Sequence, residues 1–197
     1  MTPEIILASA SPRRREILER LGLPFRVHPA EVEEIASLDS SPEDMVIENA
    51  RLKSEAVAAI FPGNVVLGAD TSVFLDRRVF NKPKTLEEAS FMLGQLSGNK
   101  HAVLTGLCIT WKERARKWCG SVRSEVVFRS LTWEDVRAYF EKVDPLDKAG
   151  AYGIQEEGER LIASYTGSYT NIMGLPMEET AAALEPFGVP ASVQSGK

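Results

Sequence analysis

The stretch Val65-Val66-Leu67-Gly68-Ala69-Asp70-Thr71-Ser72-Val73-Phe74 constrains this chain more than any other. An uninterrupted apolar run bounded by turn residues reads as a strand buried on both faces, which implies a sheet covered by helices. A carboxylate is costly in such a place unless it is paired or has chemical work to do. Asp70 is therefore expected at the carboxyl end of this strand, where open α/β sheets bind their ligands. Seen by itself it is either a turn-opening cap or a catalytic group.

The chain has 197 residues, 44% of them hydrophobic, enough to bury a core as one domain or as two small lobes sharing a cleft. No repeat and no Ser/Gly/Pro-rich linker divides it, so residues 1–190 are expected to fold as one domain of two lobes, with 191–197 a disordered tail. A formal charge of −5 argues against a nucleic-acid partner, so any polyanion must meet a local basic cluster. Cys108 and Cys119 form no C-x-x-C pair and His28 and His101 show no ligand spacing, which makes a zinc site or a disulfide framework unexpected. Neither a signal peptide nor a membrane span is apparent, and a cytoplasmic location is the expectation.

The first apolar run, Glu4 to Ala8, reads as a strand and leads into Ser9-Ala10-Ser11-Pro12-Arg13-Arg14-Arg15. Ser11 suits the N-cap and Pro12 the first helical position; Ile17, Leu18 and Leu21 share a face, and Gly22 closes the helix. Three consecutive arginines in the first turn repel one another and oppose the positive end of the helix dipole. A bound polyphosphate would resolve that conflict, since backbone N–H groups, serine hydroxyls and guanidinium forks all suit phosphate oxygens. Without one, the turn is simply a solvated basic segment.

Phe25 to His28 reads as a second strand, followed by an acidic loop that includes Glu31, Glu33 and Glu34. Ser41-Pro42-Glu43-Asp44 starts a long helix ending near Ile60, with Met45, Leu52, Ala56 and Ile60 expected on its buried side. On spacing alone Lys53 reads as a surface lysine. Lys82 falls on a loop near the Asp70 strand. His101–Trp111 and Lys117–Phe128 read as long antiparallel strands, and Thr132 caps a helix whose Trp133 and Phe140 are expected in the core. Gly150 and Gly153 allow a sharp bend or a close approach to a ligand just before Gln155. Gly174-Leu175-Pro176 leads into a last helix, Met177 to Phe187.

Three separated motifs then agree. Ser9-Ala10-Ser11-Pro12-Arg13-Arg14, Gly68-Ala69-Asp70-Thr71 with Asn81-Lys82-Pro83, and Asp147-Lys148-Ala149-Gly150-Ala151-Tyr152-Gly153-Ile154-Gln155 closely resemble the Maf family of nucleoside triphosphate pyrophosphatases, in colinear order from Ile5 to about Phe187. The resemblance implies an α/β fold related to the inosine triphosphatase-like enzymes, with a mixed, strongly bent sheet, flanking helices and two lobes around a central cleft. It implies hydrolysis of unwanted nucleoside triphosphates to monophosphate and pyrophosphate. The motif forms look like the subgroup acting on dTTP and UTP, with modified pyrimidine triphosphates as further candidates. The proton acceptor of the family maps onto Asp70, its base-selecting residues onto Arg13, Thr71 and Gln155, and its other cleft residues onto Ser9, Glu33, Lys53 and Lys82. Where many relatives continue with glycine-rich sequence, this chain has Glu156-Glu157-Gly158-Glu159-Arg160, which places extra negative charge near the nucleotide.

Hydrolysis at the α–β bond needs a neutralised triphosphate and an activated water. Asp70 and Glu33, with phosphate oxygens, would suit a divalent cation such as Mg²⁺ or Mn²⁺. Asp70 is the expected base, and Ser9, Arg13, Lys53 and Lys82 the expected phosphate ligands. A Gln amide matches the adjacent carbonyl and N–H of uracil or thymine, provided its neighbours hold one orientation. The rival expectations are a non-enzymatic regulator of cell division acting through a protein partner, and a purine pyrophosphatase of the inosine triphosphatase kind. The family also suggests a homodimer.

Overall fold

One mixed sheet of seven strands organises the computed structural model, which describes residues 3–36 and 41–190. The expected tail, 191–197, lies outside the described residues. In chain order the elements are β1 (Ile5–Leu7), α1 (Pro12–Arg20), β2 (Phe25–Val27), α2 (Pro42–Ile60), β3 (Val65–Leu75), β4 (Arg78–Phe80), α3 (Leu86–Leu96), β5 (Lys100–Trp111), β6 (Arg116–Phe128), α4 (Trp133–Phe140), α5 (Gly158–Leu161), β7 (Ile162–Thr166), α6 (Tyr169–Met173) and α7 (Met177–Leu184). The strand order is β2-β1-β3-β5-β6-β7, with β4 also paired to β3. β1 runs parallel to β2 and β3, and the remaining pairings are antiparallel. This is the mixed α/β architecture that the resemblance implied.

Helix starts follow the side-chain caps. Ser11, Ser41, Thr85 and Thr132 each accept a hydrogen bond from a backbone N–H in the first turn of α1, α2, α3 and α4, and Thr132 with Asp135 forms a reciprocal capping box. The last expected helix is instead α7 followed by a short 3₁₀ turn, Glu185–Phe187, because Pro186 cannot continue the α-helical hydrogen bonding.

The sheet buries both faces. On one, Ile5, Leu7, Leu67 and Leu107 pack with Ile17 and Leu18 of α1 and with Leu184 of α7. On the other, Val66 meets Val57 and Ala58 of α2, and Phe74 and Leu104 meet its Met45 and Val46. Two glycines set how close α2 comes. A Cβ at Gly68 would lie 2.3 Å from the Ala50 carbonyl oxygen, and one at Gly106 would lie 2.0 Å from that of Val46.

This contact corrects the expected face of α2. Met45 is buried as expected, together with Val46, Asn49, Ala50, Lys53, Ser54 and Val57, while Leu52 and Ala56 are half-buried and Ile60 is exposed. A helix seated on strand glycines must present its small side chains there, so the turn bearing Ala50 and Ser54 wins over the more apolar stripe. Lys53 is carried inward with it.

Two further expectations change. Trp133, at the first turn of α4, is 66% exposed, and Tyr139 fills the core in its place because Val136 and Tyr139 occupy the inward face of that short helix. Cys108 and Cys119, directly opposite in the β5–β6 ladder, form a disulfide. Their 11-residue separation is a single cross-strand staple, which spacing alone did not reveal.

Candidate active site

Asp70 lies in the middle of β3, opposite Gly106 of β5, and not at the strand's end as expected. The end that matters belongs to its neighbour. β1 stops at Leu7, opposite Leu67, and β4 takes up pairing on that side only at Val73. Between these points β3 has β5 on one side and no strand on the other, and a cleft of about 300 Å³ opens at the gap. Strand alternation sends Gly68 and Asp70 toward α2, and Thr71 and Val73 to the opposite face, where they line the cleft.

On the α2 side both oxygens of Asp70 are engaged. Oδ1 accepts from Lys53 Nζ at 2.6 Å and Oδ2 from Asn49 Nδ2 at 3.2 Å. The carboxylate is 4% exposed, so its charge is tolerable only because of these partners. Lys53 also lies 2.8 Å from Glu34 Oε1, and one ammonium thus joins two carboxylates. Asn49 holds the acidic loop in place, accepting from Ile35 N at 2.8 Å and donating to Ile35 O at 3.0 Å. Glu33 is exposed and forms no ion pair among the described residues; its neighbour Glu34 lines the cleft.

The conflicted arginines separate into three directions. Arg15 points outward to Glu19. Arg13 Nη1 donates to Asp147 Oδ2 at 2.9 Å and Nη2 to the Asp147 carbonyl at 3.1 Å. Arg14 runs into the cleft floor, where Nε donates to Gly174 O at 2.8 Å, Nη1 to Ser9 Oγ at 3.2 Å and Nη2 to Thr71 Oγ1 at 3.0 Å. Burial lowers the Arg14 pKa despite the opposing pull of Asp70 and Glu34. Lys82, on the loop after β4, is also lowered, first by burial and then by the Arg14 charge. Excess positive charge at close quarters is what an anion would relieve.

The 147–156 segment closes the cleft from the far side. Gly150 has φ +68°, and a Cβ there would meet Val73 Cγ2 at 3.0 Å, so the turn seats directly on β3 only as glycine. Gly153 N donates to the Tyr139 hydroxyl at 3.0 Å. Lys148 is buried and lies 2.6 Å from Asp147 Oδ1 and 3.2 Å from Glu156 Oε2. Burial opposes ionisation of Asp147, but Lys148 and Arg13 outweigh it and hold the carboxyl below the usual range. Glu156 is also 3.8 Å from Arg13, so part of the extra acidic charge read in the sequence is neutralised by cleft cations. Gln155 Nε2 donates to both oxygens of Glu16, at 3.1 and 3.0 Å.

Of the residues expected from sequence, Ser9, Arg13, Lys53, Thr71, Lys82 and Gln155 line one cleft. Asp70 sits behind Lys53. Sequence reasoning assigned no separate part to Arg14, Asn49, Glu34 or Lys148. The basic turn did contain Arg14, and a polar pair at i and i+4, Asn49 and Lys53, was the available signal on α2.

As to a metal, no group of three or more His, Cys, Asp or Glu side chains that could hold one occurs among the described residues. Asp70 and Glu34 nevertheless already flank one cation, the Lys53 ammonium. The donor set therefore fits a hard cation held by one or two carboxylates and completed by water and phosphate oxygens, not a closed protein cage. No helix among the described residues is long and apolar enough to cross a membrane.

The family model described as Maf-like protein matches residues 4–187. A dTTP/UTP pyrophosphatase from Akkermansia muciniphila is 43% identical over 188 residues, covering 95% of this chain and 98% of that protein. One of the same name from Symbiobacterium thermophilum is 44% identical over 187 residues, covering 95% of each. Among solved structures, a nucleoside-triphosphatase / dITP/XTP pyrophosphatase from Mycobacterium abscessus aligns at 15% identity and a TM-score of 0.46, over 94% of this chain and 95% of that one.

Proposed function

The chain belongs to the Maf family, and we propose that it is a nucleoside triphosphate pyrophosphatase that hydrolyses dTTP and UTP to the monophosphate and pyrophosphate. The observation that carries this reading is a buried carboxylate, Asp70, set behind cleft cations on three separate segments, Arg13 and Arg14 of α1, Lys53 of α2 and Lys82 after β4. Such an arrangement suits a polyanion whose phosphorus must be attacked by water.

Ser9, Arg13, Arg14 and Lys82 hold the phosphates, aided by the N-terminal N–H groups of α1. Triphosphate oxygens offer the Lys53 ammonium a more highly charged partner than Asp70, so substrate entry draws it away and uncovers the carboxylate. Asp70 then accepts a proton from water as the water oxygen bonds to the α-phosphorus; the bond from that phosphorus to the α–β bridging oxygen breaks, and pyrophosphate leaves with the bridging oxygen. Cations around the leaving group stabilise the charge it gains. Asp70, with Glu34 or the expected Glu33 of the same loop, would hold Mg²⁺ or Mn²⁺, which when bound lowers the pKa of water and polarises the phosphoryl group. Arg13, Thr71 and Gln155 select the base. Cytoplasmic nucleotides are the natural pool for this chemistry.

The test is release of pyrophosphate across a panel of nucleoside triphosphates, with Mg²⁺ and Mn²⁺ titrated and Asp70→Asn beside the parent. The expected result is metal-dependent turnover of dTTP and UTP that falls about 10²- to 10⁴-fold in the variant. A preference for purine triphosphates, release of inorganic phosphate instead, or near-parental turnover by Asp70→Asn would overturn the reading.

A further inference from the structure

α1 meets the 153–156 loop at two places, and only one of them involves a phosphate ligand. Glu156 lies beside Arg13 at 3.8 Å, and the preceding Gln155 places its amide nitrogen against Glu16, one turn further along α1. Both Glu16 oxygens accept from the same Nε2, at 3.1 and 3.0 Å. An ionised carboxylate accepts and cannot donate, so only the amino end of the Gln155 amide can face it. A flipped amide would set a carbonyl oxygen against two carboxylate oxygens. Glu16 thus resolves the ambiguity that a Gln side chain ordinarily carries.

We propose that Glu16 is a positioning residue for base selection, fixing the Gln155 amide so that its carbonyl oxygen and second amino hydrogen are presented to the pyrimidine ring. This rests on the pyrimidine triphosphate reading of the cleft. In uracil and thymine the ring N3–H donates and the adjacent O4 accepts. Cytosine reverses both, with an acceptor at N3 and a donor at the exocyclic N4. An amide held in one orientation at one register matches the first pattern and opposes two like groups to the second. A freely flipping amide accommodates either. Glu16 touches neither base nor phosphate in this scheme and acts only through Gln155.

The experiment measures kcat and KM for UTP, dTTP and CTP in the parent, Glu16→Gln, Gln155→Ala and the double variant, with thermal unfolding alongside. Glu16→Gln can accept or donate and so frees the amide to turn. It is expected to lower the UTP-to-CTP ratio of kcat/KM about tenfold, through KM, with kcat for UTP and the unfolding midpoint near parental values. In the Gln155→Ala background the same change is expected to leave the ratio unaltered. A ratio unchanged in Glu16→Gln, or an equal effect with and without the Gln155 amide, overturns the proposal while leaving the pyrimidine reading intact. A parent with no pyrimidine preference overturns both.

Discussion

Lys53 Nζ lies 2.6 Å from Asp70 Oδ1 in a pair that is almost wholly buried, with exposures of 8% and 4%. Each group would be costly there without the other. Lys53→Met keeps the aliphatic stem and removes the charge. Asp70 is then left as a buried carboxylate without its counter-charge. The expected outcome is a loss of about 3 kcal/mol in stability by urea titration. Steady-state kcat/KM is expected to fall at least tenfold. Parental stability and kcat/KM in Lys53→Met would show that the buried pair carries neither.

Arg14 ties three segments together through Gly174 O, Ser9 Oγ and Thr71 Oγ1. The planar fork makes this possible, and an ammonium cannot reproduce it. Arg14→Lys is expected to lower stability by about 1–3 kcal/mol and to raise KM about tenfold, since the cleft floor loses its fixed shape. Arg15→Lys, which alters only the exposed pair with Glu19, should leave both unchanged. Steady-state kinetics and thermal melts of the two variants check the contrast.

Gly106 and Gly94 should respond to alanine in opposite directions. A Cβ at Gly106 meets the Val46 carbonyl oxygen at 2.0 Å and the Ile47 nitrogen at 2.6 Å, both helix backbone that cannot turn aside. Gly106→Ala must push α2 off the sheet, which moves Lys53 from Asp70. The expected result is a loss of about 3 kcal/mol or more, with activity lost in parallel. Gly94 lies exposed inside α3 with nothing within 4 Å of the added methyl, so Gly94→Ala should stabilise by about 0.5–1 kcal/mol. Denaturant midpoints measure both.

These glycines also show why some of the fold was legible in the sequence and some was not. Caps such as Ser41 and Thr132 act within one turn, so the starts of α2 and α4 could be read locally. The buried character of β3 was equally plain. The position of Asp70 was not, because the gap beside it is made by the end of β1 at Leu7, more than sixty residues earlier in the chain, and by the late start of β4. In the same way the buried face of α2 was read correctly only at Met45. Apolar spacing favoured Leu52 and Ile60, whereas the deciding partners, Gly68 and Gly106, lie on other elements. Resemblance carried Lys53 into the site where periodicity left it in solvent. It did not bring in Asn49 or Glu16, whose parts depend on tertiary contacts with Ile35, Asp70 and Gln155.

His101, 3% exposed, gives the stability a pH dependence. Its Nε2 hydrogen-bonds the Tyr152 hydroxyl at 2.8 Å, and its ring packs edge-on against Phe128 and Tyr152. Burial pushes its pKa from 6.5 down to about 4. The folded state therefore binds fewer protons here than the unfolded state between those values, and stability is complete above about pH 6.5 and declines as pH falls toward 4. At 1.36 kcal/mol per unit the decline attributable to this one ring reaches about 3 kcal/mol. His101→Gln, which retains a partner for Tyr152, should show a shallower loss over that interval even if its stability at pH 7.5 is lower. Urea denaturation from pH 4 to 7.5 measures the difference, and parallel curves would exclude His101 as the titrating group.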